Sequence, residues 1–151
     1  MNRIEITLEG REPPPWLDRT IPFVSSLLER LEKRNWDLSL CFCGDQYIRS
    51  LNSRYRNRDE ATDVLSFVLG ETDGDFFLPG DIVISLDTLE TNAAFFGVSP
   101  DEELRRLLIH GILHLGGMDH PSSGEEEPML ILQEKLLRDL GDMHILDQED
   151  R

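Results

Sequence analysis

The stretch His-Gly-Ile-Leu-His-Leu-Gly-Gly-Met-Asp-His, residues 110–120, holds three of the chain's four histidines. It continues a run from Leu107 that is apolar nearly all round, which is typical of a buried helix. Histidines four apart on a helix project from one face, so the rings of His110 and His114 can meet at one point. The two glycines that follow permit a left-handed turn, which ends the helix and lets the chain return toward that point.

The histidine spacing matches the zinc-metalloprotease pattern H-E-x-x-H-x-x-G-x-x-H. Three histidines with a fourth position open to water form a catalytic type of zinc site, whereas structural zinc sites are usually closed by four protein ligands. We therefore predict that His110, His114 and His120 bind one Zn²⁺ per chain, although imidazoles also suit nickel, copper and iron. The alternative is a set of histidines with ordinary hydrogen bonds. Burial argues against this alternative, since each buried imidazole needs a polar partner.

The second position of the pattern departs from the protease, because Gly111 stands where the protease keeps a catalytic glutamate. That glutamate takes a proton from water, and glycine cannot. Asp119, beside the third histidine, is a candidate for the missing base. It is equally a candidate for orienting a ligand by accepting a ring N–H, and we favour this second role. Either the substrate then reacts with less assistance from a general base, or another residue acts as the base.

The remaining sequence predicts an α+β domain. Period-two alternation predicts strands at residues 1–8, 38–43, 64–68 and 82–84. Helical spacing of apolar residues predicts helices at residues 17–34, 45–55, 87–96, 99–116 and 128–140, the fourth opening on a capping box at Ser99. Residues 1–141 are predicted as one domain, with a small mixed sheet of about four strands and about five helices that include the metal-binding helix. Glycine-containing stretches at 70–75 and 79–80 are predicted as loop, and residues 142–151 as a mobile acidic tail that contains a solvated His144.

Composition sets limits on the function. Acidic residues outnumber basic ones 30 to 15, which gives a formal charge of -15, so a polyanion needs a local basic patch to bind. The alternating start at residues 1–8 indicates a strand rather than a signal peptide, and no apolar run is long enough to span a bilayer. Cys41 and Cys43 are predicted as small buried side chains on one face of a strand. This cysteine usage predicts a cytoplasmic protein.

A basic patch lies between Arg49 and Arg58, where four arginines occur within ten residues. Arginine binds phosphate through a planar fork of donors, and a local concentration of arginines is what a polyanion binder with an unfavourable net charge needs. The alternative is a solvated helix face paired with Asp45, Asp59 and Glu60. Composition alone favours this alternative.

Three blocks occur in order along the chain: Leu51-Asn52-x-x-Tyr55-Arg56 followed by Thr62-Asp63-Val64-Leu65-Ser66-Phe67, then Gly80-Asp81-Ile82-Val83-Ile84-Ser85, and finally His110-Gly111-x-Leu113-His114-Leu115-x-Gly117-x-Asp119-His120. Together they resemble the YbeY family of bacterial endoribonucleases, also called ribosomal RNA maturation factors. The family also has glycine rather than glutamate in the histidine block. The resemblance covers most of the chain.

The resemblance implies a metal-dependent endoribonuclease, a hydrolase of phosphodiester bonds that is specific for single-stranded RNA. It implies action in maturation of the 3′ end of small-subunit ribosomal RNA and in ribosome quality control. The implied partners are precursor ribosomal RNA and the small subunit or its assembly factors. The implied zinc ligands are His110, His114 and His120, and the implied catalytic residues are Arg56 and His114. This chain departs from the family at Met118, where a tyrosine is usual, and in its acidity.

Two alternatives remain: a metalloprotease-like hydrolase, and a non-enzymatic ribosome-assembly factor with a structural zinc. Gly111 argues against the first, and the open fourth coordination position argues against the second. A phosphodiester brings its own charge to a metal, so zinc and an arginine can stabilise its transition state electrostatically. A peptide bond brings no such charge, which is consistent with the protease's retention of its glutamate.

Overall fold

The computed structural model describes residues 1–120, 124 and 127–147. Within these residues one four-stranded mixed sheet packs with five α-helices, which confirms the predicted α+β class. The elements in chain order are β1 (Arg3–Leu8), α1 (Thr20–Arg30), β2 (Asp37–Cys43), α2 (Asp45–Arg56), β3 (Val64–Asp73), β4 (Phe76–Ser85), α3 (Leu86–Phe96), α4 (Pro100–Leu115) and α5 (Pro128–Asp139). None of the helices described is long and apolar enough to cross a bilayer.

The strand order is β1-β2-β4-β3, with β2 parallel to β1 and to β4, and β3 antiparallel to β4. Alternate side chains of β2 and β4 point to opposite faces of the sheet. Leu40 and Ile82, paired in register, belong to the main core, where the helices α1, α3, α4 and α5 cover one face. The opposite face carries a smaller apolar cluster of Cys43, Leu65 and Val83 beneath Ile48 of α2. The sheet therefore lies between α2 and the helix that bears the histidines.

The two cysteines are free and lie on the face of the sheet that α2 covers. Cys43 is buried as predicted, whereas Cys41 is only half-buried. Burial raises the pKa of the Cys43 thiol to about 12, so this thiol stays protonated at neutral pH. An uncharged, buried thiol packs as a small apolar group.

The helix α4 begins and packs as its sequence predicts. The Ser99 hydroxyl accepts a hydrogen bond from the Glu102 N–H at 3.0 Å, and Pro100 occupies the first turn. Most of its residues are buried. A Cβ at Gly111 would lie 2.9 Å from Cδ1 of Ile82 in β4. A side chain at this position would have to displace Ile82, because α4 approaches the sheet closely, so glycine fits here better than the glutamate of the protease pattern.

The hairpin of β3 and β4 is longer than predicted. Residues 70–75 and 79–80, predicted as loop, lie largely within these strands. The pairing is irregular between Val68 and Glu71, where Gly70 has a φ of 72°, and the turn contains Gly74 at a φ of 61°. Glycine therefore accommodates a bulge and a tight turn inside a hairpin, whereas the sequence pattern indicated an open loop.

The first helix is shorter than the predicted range of 17–34. Residues Leu17–Arg19 form a separate 3-10 turn, and α1 ends at Arg30. Glu32 and Asn35 have φ angles of 57° and 56°, which an α-helix cannot accommodate. The prediction was too long because the helical spacing of apolar residues extends beyond Arg30, where the backbone leaves the helical conformation.

The segment after α5 differs from the mobile tail predicted for residues 142–151. Ile145 is buried in the main core, and its N–H donates to Oδ1 of Asp101 at 2.6 Å. His144, predicted to be solvated, keeps 58% of its side chain exposed, but its Nδ1 lies 2.9 Å from Oδ2 of Asp101. The chain packs here through the buried Ile145 side chain and through the Ile145 and Leu146 N–H groups, which donate to the Asp101 carboxylate. Residues 148–151 lie outside the described residues, and the domain boundary at 141 stays a prediction.

Candidate metal centre and active site

The three predicted ligands meet at one point. His110 and His114 project from the last turns of α4, and the Met118 N–H then bonds to the Leu113 carbonyl oxygen at 3.0 Å as the chain turns. Gly117 has a φ of 97°, which this turn requires. The turn returns His120 to the other two rings, so that one nitrogen from each of the three lies within 4.8 Å of the others. The three residues could therefore hold one metal ion.

The protonation states of the rings fit metal binding. The Nε2 atoms of His110 and His114 face each other at 3.1 Å. Burial is the main cause that lowers the pKa of both rings, so both are neutral at neutral pH. Since neutral imidazole is the form that binds a metal, the donor set suits an ion. Three imidazoles are typical of zinc but also suit other transition metals.

The orientation of His110 is set by a residue that the sequence analysis missed. Nδ1 of His110 lies 2.6 Å from Oε1 of Gln133 in α5. An amide oxygen only accepts hydrogen bonds, so Nδ1 carries the proton and Nε2 keeps its lone pair toward the other histidines. Gln133 is 7% exposed, on the face of α5 that carries Met129 and Leu136. A polar residue on an apolar helix face indicates a buried hydrogen-bonding role, but it does not identify the partner.

Charged groups in turn hold the Gln133 amide. Its Nε2 donates to Oε2 of Glu134 at 3.2 Å. Arg106 of α4 binds both carboxylate oxygens of Glu134, at 3.0 and 3.1 Å. The hydrogen bond from Arg106 is the main cause that lowers the pKa of Glu134, so this carboxylate stays ionised as an acceptor. The chain of contacts runs from Arg106 through Glu134 and Gln133 to His110, and joins α4 to α5 beside the metal centre.

Asp119 has a different contact from the one predicted. Its Oδ1 accepts the backbone N–H of His120 at 2.8 Å, so the carboxylate stabilises the turn that carries the third histidine. The ring N–H of His110 is accepted by Gln133 instead. Asp119 also lines the groove described next, as does Met118, which packs against the main core.

An open groove of about 950 Å³ lies between the end of α4, the strand β3 and the end of α2. Its lining includes all three histidines together with Arg56 and Ser66. Nη2 of Arg56 donates to the Ser66 carbonyl oxygen at 2.7 Å, and its guanidinium lies 5.5 Å from the centre of the Phe67 ring. The structure thus brings Arg56 into the same groove as the histidine cluster, although more than fifty residues separate them in sequence.

The arginines of the basic patch fall into two groups. Arg49 binds both oxygens of Asp59, at 2.9 and 3.2 Å, and Arg58 lies 3.8 Å from Glu60. For these two the predicted pairing with acids is correct, whereas Asp45 accepts hydrogen bonds from Ser85 and Thr88. For Arg54 and Arg56, no ion pair with a carboxylate occurs among residues 1–120, 124 and 127–147.

Comparisons with known proteins identify the family. Residues 15–141 match the family model for Endoribonuclease YbeY. A Treponema denticola protein of that name is 49% identical and the match covers 95% of this chain and 97% of the relative. Another, from Aquifex aeolicus, is 44% identical and the match covers 83% of each.

The fold also matches a solved structure. The solution structure of a Thermotoga maritima protein has a TM-score of 0.66 and 29% identity, and the match covers 92% of this chain and 90% of that protein. The resemblance drawn from the three sequence blocks is confirmed. This chain, with its three histidines and Arg56 on one groove, belongs to the YbeY family of endoribonucleases.

Proposed function

We propose that this protein is a zinc-dependent endoribonuclease that cleaves single-stranded RNA in the cytoplasm. We further propose that it acts in maturation of the 3′ end of small-subunit ribosomal RNA and in ribosome quality control, with precursor RNA and the small subunit or its assembly factors as partners. The observation that carries the proposal is the shared groove, which is lined by the three clustered histidines and by Arg56. Family membership supports the choice of RNA as substrate.

His110, His114 and His120 would hold one Zn²⁺, with His114 at the centre of the catalytic site. When bound, the ion supplies Lewis-acid polarisation of a phosphoryl oxygen. The protein keeps His110 in the tautomer that presents Nε2, through the hydrogen bond with Gln133. The half-buried rings also keep their neutral form, because burial lowers the pKa of His110 and His114.

Arg56 would bind the phosphate group of the substrate. One of its N–H groups is committed to the Ser66 carbonyl, which fixes the guanidinium at the rim of the groove. The remaining donors of the fork are free to contact two phosphate oxygens. Charge that develops on those oxygens in the transition state would then be stabilised by a group already in place.

The absence of a protease-type glutamate follows from the packing of Gly111 against Ile82. A proton acceptor, where the reaction needs one, must come from elsewhere in the groove. Asp119 is our candidate, because its carboxylate lines the groove next to His120. Asp119→Asn should then lower the cleavage rate while the metal is retained.

The proposal is tested by incubating metal-loaded protein separately with a single-stranded RNA, the same RNA in a duplex, and casein. We expect cleavage of the single strand alone. Cleavage of casein without cleavage of RNA would favour the metalloprotease-like alternative. A protein that needs its metal to fold and cleaves neither substrate would favour the assembly factor with a structural zinc.

A further inference from the structure

Aromatic rings and guanidinium groups alternate along the end of α2. The Tyr55 side chain is 59% exposed, and its ring meets the Phe67 ring at a centroid distance of 5.5 Å and an angle of 70°. The Arg54 guanidinium lies 5.8 Å from the centre of the Tyr55 ring, and that of Arg56 lies 5.5 Å from the centre of the Phe67 ring. The four side chains form a continuous surface, which we call the Tyr55 ledge.

The ledge adjoins the groove at Arg56, which belongs to both. Arg56 and Ser66 line the groove itself. Phe67 follows Ser66 in β3, and its ring lies beside both the Arg56 guanidinium and the Tyr55 ring. A strand whose phosphate is bound at Arg56 therefore lies beside the exposed Tyr55 ring.

The charge of the ledge indicates the kind of ligand that binds it. The whole chain has a formal charge of -15, and Arg49 and Arg58 are paired with carboxylates. Arg54 and Arg56 have no such ion pair in the part of the chain that the structure describes. Positive charge beside an exposed aromatic ring is the combination with which proteins bind single-stranded nucleic acid, since bases stack on rings while phosphates contact cations.

We propose that Tyr55 stacks against one unpaired base of the RNA, next to the phosphate that Arg56 holds, and that Arg54 contacts the neighbouring phosphate. This subsite rests on the proposed endoribonuclease function. It gives a physical reason for single-strand specificity, because a base within a duplex is stacked between its neighbours and cannot lie on the ring. The ligand class is single-stranded RNA, recognised by its base faces and backbone rather than by sequence.

The test uses metal-loaded full-length protein and a set of single-stranded RNA oligonucleotides, each with one abasic nucleotide near the cleavage site. In the wild type, one abasic position should raise KM by about 5- to 150-fold, the range expected for loss of one base–aromatic stack. Tyr55→Ala should raise KM for the intact RNA by a similar factor, with a smaller change in kcat. The same abasic position should then cost Tyr55→Ala nothing further.

Two conservative variants and one control separate stacking from folding. Tyr55→Phe and Tyr55→Trp keep a ring and should retain a KM close to that of the wild type. Tyr47→Ala removes another exposed tyrosine of the same helix, at its opposite end and away from the groove, and should leave KM unchanged. Loss of binding in Tyr55→Trp equal to that in Tyr55→Ala would overturn the stacking role.

The outcomes also separate this subsite from the proposed function. RNA cleavage with an unchanged KM in Tyr55→Ala would overturn the subsite and leave the endoribonuclease intact. A wild-type protein that neither binds nor cleaves RNA would overturn both. A further outcome is that polyglutamate displaces the labelled RNA from the wild type as readily as unlabelled RNA does, but fails to do so with Tyr55→Ala. That result would overturn the base-stacking assignment and indicate an acidic protein segment as the ligand.

Discussion

Nδ1 of His110 and Oε1 of Gln133 lie 2.6 Å apart, and this contact joins the histidine-bearing helix α4 to α5. It determines which ring nitrogen faces the other histidines. Glu134 and Arg106 hold the amide in place, so the orientation of one ligand depends on a charged network outside the site. Groups behind the ligands are known to affect metal affinity strongly.

Gln133→Leu should weaken Zn²⁺ binding by about 10- to 100-fold, because it removes the acceptor of the His110 ring proton. Gln133→Glu keeps an acceptor for that proton but sets a second carboxylate against the ionised Glu134, so Gln133→Glu combined with Glu134→Gln should retain binding better than Gln133→Leu. Competition with a chromophoric chelator measures the affinity, and the visible spectrum of the Co²⁺-substituted protein reports the ligand geometry. Gln46→Leu, at an exposed site on α2, serves as the control. Equal affinities for Gln133→Leu and wild type would show that the contact does not position the ligand.

Gly111→Ala should destabilise the protein, although alanine favours a helix by about 1 kcal/mol over glycine. The added Cβ would lie 2.9 to 3.1 Å from three side-chain carbons of Ile82, and such overpacking costs roughly 1–3 kcal/mol. Chemical denaturation of Gly111→Ala, Ile82→Ala and the double variant measures the coupling. The two changes should partly compensate each other. Additive effects would mean that Ile82 is not the reason for glycine at this position.

Arg56→Ala and Arg56→Lys should both lose most RNA cleavage while they retain zinc and fold. Lysine fails because a point charge cannot reproduce the bidentate fork. Arg49→Ala should have little effect, since Arg49 is already paired with Asp59. Arg54→Ala should weaken binding and flatten its salt dependence. Initial rates and zinc content of each variant give the ranking. A similar small loss in all of them would indicate a diffuse electrostatic patch without a phosphate clamp.

The docking of residues 142–147 should depend on pH through Asp101. Burial is the largest single influence and by itself raises the pKa of this carboxyl. Hydrogen bonds from His144 and from the Leu146 and Ile145 N–H groups, together with the charge of the buried Arg105 guanidinium, outweigh it, so the pKa is lowered. A carboxyl whose pKa is lower in the folded state than in the unfolded state stabilises the protein at pH values above its unfolded-state pKa of about 3.9. This stabilisation is lost as the pH falls through the folded-state pKa.

Asp101→Asn should therefore lower the free energy of unfolding by about 2 kcal/mol at neutral pH, and by progressively less below about pH 4. Urea denaturation at a series of pH values measures the difference, with Glu5→Gln at an exposed strand position as the control. A difference that stays constant from pH 7 to pH 3 would contradict the ionised state of Asp101.

The histidine cluster could be predicted from sequence because helical geometry alone places His110 and His114 on one face, and the turn after α4 is short. Gln133 could not be predicted as a partner, because its contact depends on how α5 docks against α4. The same holds for Ile145, whose place is set by the buried carboxylate of Asp101. Gly111 was recognised as a departure, but its cause lies in Ile82 of a distant strand.

Metal content and RNA cleavage, followed together in one titration, show whether the three histidines form a metal centre that cleaves RNA. Untagged wild-type protein, stripped of metal, should regain cleavage of single-stranded RNA in proportion to added Zn²⁺ and reach its maximum at one ion per chain. His114→Ala, purified identically to exclude contaminating nucleases, should bind little zinc and stay inactive throughout. Full cleavage by metal-free wild-type protein, or equal cleavage by His114→Ala, would contradict the account.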